Sequence, residues 1–328
     1  MEDASVTNKE IYRKTLTFSL RKLIIDIIAL AAVGGFCTLG FVLMEKNNGE
    51  GLPGLLIGLI LGIIIVAVIL HYIGYTYKAG QIAMMTRGVT EGTLPDDVIS
   101  EGKKIVQERF KTVAALFAVT GVIKGIFHEI GRGITKVGEA IGGDTGSTVG
   151  SAISAVIDVI VAYLCDCCLG WVFYRKDVKP AKATCEGAVL FFKHWKTLAK
   201  NMARVFVFAL VSLILIGGVF FGIAFLIYSR YPAFFEMLAK EFAEAGARND
   251  TQVAEFLKDP KMLVIAAAAL TGVIIWAILH SVFIRPFVLV GVLRNYMTSG
   301  INDIPEESSF AALDGQSKKF KKLHAELA

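Results

Sequence analysis

The sequence predicts an all-α, polytopic membrane protein with about six transmembrane helices, amphipathic interfacial helices and both termini in the cytoplasm. Hydrophobic residues make up 55% of the 328 residues and charged residues only 19%, whereas soluble chains carry roughly 25% charged residues. The segments 51–77, 205–229 and 262–284 contain no Asp, Glu, Lys or Arg. Each exceeds the roughly 20 residues that a helix needs to cross the hydrocarbon core of a bilayer.

The predicted spans form a single membrane domain over 1–328. The first apolar run follows an acidic start and has no small-residue cleavage site after it, which favours an uncleaved span over a signal peptide. The third span is the weakest by hydropathy, because Lys124 interrupts it. The predicted spans lie at about 20–44, 52–77, 112–130, 147–173, 204–228 and 262–284.

The distribution of Lys and Arg sets the predicted orientation. Most of these residues lie in the segments 1–22, 78–111, 175–204 and 285–328, which the positive-inside tendency places in the cytoplasm. If 112–130 did not cross, the strongly basic segment 175–204 would face outward, which is the worse solution. We therefore predict that 112–130 crosses the bilayer or dips deeply into it.

Two connecting segments are predicted to contain helices of their own. In the cytoplasmic helical loop 78–111, the sequence LPDD at 94–97 is typical of a helix start, and the apolar pattern continues to Phe110. The extracytoplasmic segment 229–261 predicts a helical hairpin. Its first helix covers 233–245, and its second stops before the next proline.

Two basic segments face the cytoplasmic side in this prediction. Segment 181–203 has the pattern of an amphipathic interfacial helix, with a cytoplasmic helix packed on the bundle as the alternative. The basic cytoplasmic tail 299–328 carries the cluster KKFKK at 318–322, which can bind anionic headgroups, and a solvated disordered tail is the alternative. The side chains predicted to face lipid in the first segment are Val189, Leu190, Phe192 and Trp195.

The segment 121–143, GVIKGIFHEIGRGITKVGEAIGG, combines an apolar helical stripe with a polar face and recurrent glycines. Such a helix among membrane spans can line water, pack tightly on its neighbours or lie on the bilayer. The predicted orientation implies that its first half, to about Ile130, crosses the membrane and that 131–143 lies at the outer surface. This placement brings Lys124 to the depth of Asp158, roughly 15 to 20 Å into the two spans at helical rise.

Charged and polar residues within spans are the candidate pathway residues, because charge is costly in hydrocarbon. Lys124 and Asp158 can form either a gate or coupling-ion site or a neutral structural pair, and His128 and Arg132 share the polar face with Lys124. A second set lies towards the inner leaflet, where it can form a vestibule or snorkel to the interface. This set comprises Asp26, His71, His280 and Arg285, and Pro286 is expected to kink or end the sixth span.

Small residues at four-residue spacing also recur in the spans, and they let helices approach closely in lipid. Within one chain this spacing predicts tight helix packing, and between chains it predicts a homo-oligomer seam. The glycines concerned are Gly54, Gly58 and Gly62 in span two, Gly146 and Gly150 in span four, and Gly218 and Gly222 in span five.

No catalytic, cofactor or metal site is predicted. The chain lacks the phosphate-loop, zinc-protease, nucleophile-elbow and dinucleotide-binding motifs. Cys165, Cys167 and Cys168 would splay around a helix, which fits tetrahedral zinc poorly. The cysteine cluster, the basic stretch KNMAR at 200–204 and the Gly-rich span after it resemble the C-terminal half of choline-transporter-like proteins, and no function is inferred from this resemblance.

These patterns favour a transporter or channel-like permease for an ion or small solute in the bacterial cytoplasmic membrane. The alternatives are a non-catalytic scaffold or accessory subunit of a membrane complex, and a lipid-binding protein that remodels membranes. The expected partners are lipids of the anionic inner leaflet, together with a second copy of the chain or another membrane protein. The basic stretches lie beside spans, so lipid explains them better than nucleic acid does.

Overall fold

The computed structural model describes residues 6–48, 51–111, 113–142, 161–194, 205, 207–246 and 258–327. Within these ranges no strand occurs, and the all-α prediction is confirmed. In chain order the helices are α1 (Asn8–Asn48), α2 (Gly51–Thr90), α3 (Val98–Arg109), α4 (Val113–Gly142), α5 (Val161–Tyr174), α6 (Pro180–Lys193), α7 (Val207–Tyr228), α8 (Pro232–Gly246), α9 (Pro260–Leu279), α10 (Arg285–Asn302), α11 (Ala311–Asp314) and α12 (Lys318–Ala325).

Three helical stretches among the described residues are long and apolar enough to cross a membrane. They are α1, α7 and the continuous run from Pro260 to Asn302 that contains α9 and α10. A fourth results if α3 and the Ala114–Glu129 part of α4 form one bent span, while α5 and the apolar Pro53–Ala67 part of α2 are shorter. The structure therefore supports membrane association, whereas the six spans and the orientation of the termini stay predictions.

The chain divides into two compact units. The first, which we call the charged unit, comprises Met1–Leu20, Tyr72–Val207 and Arg285–Ala328. The second, the apolar unit, comprises Arg21–His71 and Phe208–Ile284. Both α1 and α2 contribute residues to each unit, because the division falls inside these two helices.

In the charged unit, α1 begins before the predicted first span, at Asn8. Helix α2 continues past the predicted second span to Thr90, within the predicted loop 78–111. These extensions are stable as helices because their apolar faces are buried in protein, as at Ile11 and Phe18. The side-chain amide of Gln81 crosses from α2 to α1, where it donates to the carbonyl oxygen of Thr15 at 3.3 Å and to the hydroxyl of Ser19 at 2.9 Å. A buried amide with its hydrogen bonds satisfied fixes the register of two helices.

Helix α3 begins directly after the LPDD sequence at 94–97. The carboxylate of Asp97 accepts a hydrogen bond from the backbone N–H of Ser100 at 3.0 Å, which caps the helix. The buried face of α3, which includes Ile105 and Val106, packs in the core of the charged unit. Local capping chemistry therefore decided where this helix starts.

Helix α6 packs on protein, which is the alternative considered for segment 181–203. Val189 and Leu190 are buried in the charged unit and do not face lipid, while Trp195 lies outside the described residues. The carboxylate of Glu186 is also buried, and it accepts a hydrogen bond from the indole N–H of Trp171 at 3.0 Å and lies 3.1 Å from the guanidinium of Arg175. Burial raises the pKa of Glu186 above its usual value.

The C-terminal tail is folded onto the charged unit, so the alternative of a disordered tail is not what the structure shows. Phe310, Leu313 and Phe320 are buried against Ile126 of α4 and against the apolar face of α6. Burial of these apolar side chains favours the folded tail, and the lysine-rich composition of the tail did not predict this contact.

The carboxylate of Glu129 on α4 fixes the start of α12. It accepts hydrogen bonds from the hydroxyl of Ser317 at 2.8 Å and from the backbone N–H of Lys319 at 3.2 Å. The hydroxyl of Ser317 in turn accepts from the backbone N–H of Phe320 at 3.0 Å. A negative group at a helix N-terminus also favours the helix dipole, so the α4 side chain anchors the tail.

In the apolar unit, glycines bring backbones into contact. A Cβ atom on Gly54 would collide with the carbonyl oxygen of Gly40, and one on Gly58 would collide with that of Phe36. These positions accept no side chain because another backbone already occupies the space. A Cβ on Gly62 would lie 3.3 Å from the Cα of Val33.

The glycines predicted for span five make no close helix contact within the described part of the chain, and the oligomer seam stays a prediction. A Cβ on Gly218 or Gly222 would meet no atom within 4 Å among the described residues. The close approach occurs instead at Gly272, where a Cβ would lie 2.6 Å from the carbonyl oxygen of Gly217. Periodicity identified the helix but not the face that packs. Gly146 and Gly150 lie outside the described residues.

Pro286 does not end the last long helix, which is one of the two outcomes predicted for it. The five residues His280–Ile284 form a π-helical turn immediately before α10. Pro286 lacks the N–H that an α-helix would use, and a wider turn accommodates that loss without a break. A second π-helical turn, Leu213–Gly217, lies within α7. Such turns frequently mark functional positions, and the first one directly precedes Arg285.

Candidate functional site

A buried carboxylate lies between two cations in the charged unit. Asp166 on α5 has one oxygen 2.6 Å from the ammonium of Lys78 on α2, and its other oxygen lies 2.6 Å from the guanidinium of Arg285 on α10. The side chain of Asp166 is only 5% exposed. We call these three residues the ionic triad, and it joins three helices that are distant in sequence.

The positions of the triad follow from the helices that carry it. Asp166 is the single charged residue of α5, so the apolar residues around it bury it when the helix packs. Arg285 follows the π-helical turn, and its guanidinium also donates to the carbonyl oxygen of Ala162 at 3.1 Å and lies 5.4 Å from the ring centre of Tyr163. The cation is therefore held by a carboxylate, a backbone oxygen and an aromatic face.

The triad borders a cavity of about 440 Å³, which we call the ionic cavity. Helices α2, α4, α5 and α10 all contribute to its wall. A volume of this size falls in the range of small-molecule sites. The cavity is lined by Tyr75, Lys78, Thr120, Lys124, His128, Val161, Ala162, Cys165, Asp166, Leu169 and Arg285.

Positive charge exceeds negative charge in this lining. Lys78, Lys124 and Arg285 are basic, and Asp166 is the single acidic residue among the described lining residues. Lys124 is exposed and makes no ion pair or hydrogen bond within the described part of the chain. The triad alone already carries one more cation than it has carboxylates.

The structure brings together residues that the sequence analysis had placed in two separate sets. Lys124 and His128 of the polar face on α4 line the same cavity as Arg285. Asp158, the predicted partner of Lys124, lies outside the described residues. The side chain of Arg132 in α4 also lies outside what the structure describes. The predicted pair of Lys124 and Asp158 is thus untested, and a different carboxylate borders the cavity.

The residues predicted for an inner vestibule make separate contacts in the two units. Asp26 forms an ion pair with Lys22 at 2.5 Å, and the same ammonium donates to the hydroxyl of Ser281 at 3.2 Å. These contacts lie in the apolar unit, whereas Arg285 is held by Asp166 in the charged unit. A buried carboxylate therefore binds the guanidinium of Arg285, and the choice between a vestibule and snorkelling stays a prediction. The side chain of His71 is not described.

His280 also belongs to a contact network within the apolar unit. Its Nδ1 lies 3.1 Å from the hydroxyl of Ser212, and the indole N–H of Trp276 donates to the same hydroxyl at 3.0 Å. The rings of Trp276 and His280 lie 5.2 Å apart. These polar groups satisfy one another across α7 and α9, which explains their burial without a ligand.

Two members of the triad were missed in the sequence. Lys78 stands at the end of the second apolar run, where a cation normally marks the membrane boundary. Asp166 lies between Cys165 and Cys167 in the cysteine cluster, which the sequence analysis interpreted by its thiols alone. The signal that would have identified Asp166 is its isolation, since it is the single charge in the apolar stretch 161–174.

The thiols of the cysteine cluster take no part in a metal site among the described residues. No group of three or more His, Cys, Asp or Glu side chains there is arranged to hold a metal ion. All five cysteines are free, and Cys167, Cys168 and Cys185 are buried. The ionic cavity therefore offers ammonium, guanidinium and carboxylate groups as its chemistry.

A second cavity lies in the apolar unit between α7, α8 and α9. Its volume is about 540 Å³. Aromatic and aliphatic residues such as Phe225, Tyr228 and Val264 form most of its wall, with Asp259 and Lys261 at the start of α9. Since Asp259 caps α9 by accepting from the backbone N–H of Lys261 at 2.9 Å, its carboxylate has a local structural partner. The ionic cavity is the stronger candidate site.

Comparisons with protein-family models, with curated proteins and with solved structures find no significant match to this chain.

Proposed function

We propose that this protein is an integral membrane permease that binds a small polar solute in the ionic cavity. The observation that carries the proposal is a charge-lined cavity of about 440 Å³ within a chain whose longest helices are apolar enough to cross a membrane. Of the helices that line the cavity, α10 belongs to one of these apolar stretches. Charged residues in or beside apolar membrane helices are costly unless they face a cavity or one another, and they commonly mark a solute pathway. The residues assigned to binding are Lys78, Lys124, Asp166 and Arg285.

The scaffold alternative explains the ionic cavity less well. A structural ion pair that only joins helices needs neither an open volume nor an additional cation. Here the carboxylate of Asp166 meets two cations, and Lys124 adds a third positive group to the same wall. Lys124 is exposed at the cavity and has no carboxylate partner among the described residues, so its charge is available to a ligand, and the arrangement fits a binding site better than a simple brace.

Flux through proteoliposomes tests the permease proposal. We expect the purified protein to accelerate the entry of at least one of radiolabelled phosphate, acetate, choline or sodium. Lys124→Gln should lower that rate about tenfold, because losing one charged contact costs about 1.4 kcal/mol. Lys104→Gln is the matched control, since Lys104 on α3 is exposed and lies 4.0 Å from Glu108, outside the cavity. A folded protein that moves none of these solutes contradicts the proposal.

A second candidate function is binding to anionic lipid through α12. The four lysines of this helix are exposed, while Phe320 between them is buried and holds the helix on the charged unit. An ordered helix presents these charges together, and each basic residue near an anionic surface contributes about 1 kcal/mol. The lysines are Lys318, Lys319, Lys321 and Lys322.

Lipid selectivity tests this second candidate. Protein in nanodiscs that hold mixed phosphatidylcholine and phosphatidylglycerol should enrich phosphatidylglycerol at its surface, and replacing the four α12 lysines by Gln should remove that enrichment. Lys103→Gln and Lys104→Gln together form a control with basic residues of another helix. If the α12 variant enriches the anionic lipid as well as the unchanged protein does, the helix is not the headgroup site.

A further inference from the structure

We infer that the ionic cavity is an anion site, whose ligand carries a carboxylate or phosphate group. This inference rests on the proposed solute-binding role of the same cavity and names the class of solute. The basis is the charge of the lining, where three basic side chains face one carboxylate among the described residues. A cationic solute would meet the positive groups of Lys78, Lys124 and Arg285, whereas an anion would balance them.

The donors in the cavity suit an oxyanion. An ammonium group carries three N–H donors, and Lys78 directs one contact to Asp166 at 2.6 Å. The guanidinium of Arg285 is planar and favours carboxylate and phosphate oxygens, and in this structure it holds the carboxylate of Asp166. Lys124 has no partner among the described residues, so its ammonium is available to a ligand.

Asp166 shows which ligand chemistry these cations accept. Its carboxylate binds both Lys78 and Arg285, and these are the contacts that a ligand oxyanion would make. A second oxyanion would share the two cations with Asp166 and gain Lys124. The fixed carboxylate then limits affinity, because it repels the ligand, and it keeps the site from becoming a permanent anion trap. Reversible binding is what a permease requires.

The oxyanion that the ionic cavity would bind can come from two sources. A free solute such as inorganic phosphate or acetate carries the oxyanion, and so does the headgroup of an anionic lipid. The ionic cavity recognises the shared group in either case. The two sources differ in whether binding occurs in a detergent solution without lipid.

Binding to the full-length protein tests the inference. In a non-ionic detergent, calorimetry should detect inorganic phosphate or acetate, and it should detect neither choline nor sodium. Lys124→Gln and Lys78→Gln should each weaken the affinity about tenfold. Lys104→Gln removes the same charge outside the cavity and should leave the affinity unchanged. Lys124→Arg keeps the charge and should restore binding to within about threefold of the original affinity.

A second arm distinguishes a lipid headgroup. If neither free anion binds, the protein is placed in nanodiscs with phosphatidylglycerol or with phosphatidylcholine alone. Enrichment of phosphatidylglycerol that Lys124→Gln abolishes and Lys104→Gln leaves intact supports the site with a lipid source. Preferential binding of choline or sodium overturns the inference, and so does anion binding that both cavity variants leave unchanged. Absence of anion binding in both arms also overturns it.

The inference and the permease proposal fail in different ways. Anion binding that depends on Lys124, without flux of any anion, supports the site and contradicts permeation. Flux of choline or sodium without anion binding supports permeation and contradicts the anion assignment. Calorimetry and flux measured on the same variants therefore separate the two.

Discussion

The charged unit and the apolar unit hold their helices together by different means. In the charged unit, polar side chains join helices, as where Asp166 meets Arg285 and where Glu129 anchors α12. In the apolar unit, backbones meet directly at Gly54 and Gly58, and many large apolar side chains are exposed. Without water, apolar side chains gain little by leaving lipid for protein, so close backbone packing replaces hydrophobic burial.

The two units also differ in how their charged and polar groups are paired. The contacts of the apolar unit satisfy one another locally, as Asp26 does with Lys22 and Ser212 does with His280. In the charged unit, basic residues outnumber acidic ones among the described residues that line the ionic cavity. Substitutions in each unit test whether this difference in charge balance matters.

The largest contrast is expected between Asp166, which is buried, and Asp26, which is half-buried. Asp166→Asn leaves Lys78 and Arg285 without their counter-charge, and removing one partner of a buried ion pair costs about 3 to 5 kcal/mol. Asp26→Asn is the matched change in the apolar unit, and it should cost at most about 1 kcal/mol, because Lys22 is partly exposed and keeps the hydroxyl of Ser281.

Unfolding in detergent, followed by circular dichroism with denaturant, checks this pair of variants. Hydrogen exchange should show that Asp166→Asn lowers the protection of backbone amides in α5 and α10. Equal decreases in the free energy of unfolding for the two variants would show that the two carboxylates contribute equally to stability, which would contradict the difference between the units.

The apolar unit should respond most strongly at its glycines. Gly58→Ala places a methyl group against the carbonyl oxygen of Phe36, and overpacking of this kind costs about 1 to 3 kcal/mol. Gly222→Ala is the control, because no described atom lies within 4 Å of its Cβ position. It should be neutral or slightly stabilising, since Ala favours a helix over Gly. The same unfolding measurement checks both, and equal effects would refute the role given to close backbone contact.

A smaller effect is expected where the tail docks on the charged unit. Glu129→Gln removes the negative group that accepts from Ser317 and from the N–H of Lys319. Gln keeps an acceptor oxygen, so the variant loses the negative charge at the start of α12, which is worth about 0.3 to 1 kcal/mol. Limited proteolysis should then cleave within α12 more rapidly, whereas Glu108→Gln at an exposed position of α3 should not change the rate. An unchanged cleavage rate for Glu129→Gln would mean that the charge of Glu129 does not help to hold the tail.

The smallest effect concerns pH. Burial, with nearby acidic groups, raises the pKa of the Cys185 thiol to about 12, while an exposed thiol titrates near about 8.5. The folded state holds the thiol proton more tightly, so this contribution to stability is complete below the unfolded pKa and declines as the pH rises towards the folded pKa. At about pH 9.5 the loss is about 1 kcal/mol.

Cys185→Ala removes this titration from α6. Between about pH 8 and 9.5, the unfolding free energy of the variant should fall less steeply than that of the unchanged protein. Parallel pH profiles would contradict the assignment, because every other titrating group is common to the two proteins.

The sequence was sufficient for features that depend on local composition. The scarcity of charge in 205–229 and 262–284 predicted long apolar helices, and the structure has α7 and α9 there. The LPDD sequence predicted the start of α3. Helix capping and hydropathy depend on residues that are close in sequence, so the sequence pattern is enough to predict them.

The candidate site was only partly predictable. Lys124, His128 and Arg285 were predicted because they are polar residues within or beside spans, and they line one cavity. Asp166 was overlooked, and its two cations could not be assigned, because the sequence separates them by more than a hundred residues on one side and nearly ninety on the other. The face on which a helix packs, as at Gly217 and not Gly218, was equally undetermined.

The sequence by itself determined that this is an all-α chain suited to a membrane, because hydropathy and helix signals are properties of short segments. The tertiary structure alone decided that Asp166 would join Lys78 and Arg285 beside a cavity, and that a lysine-rich tail would fold onto α4 and α6. Ion pairing and burial depend on distances between segments, and the packing of whole helices sets those distances.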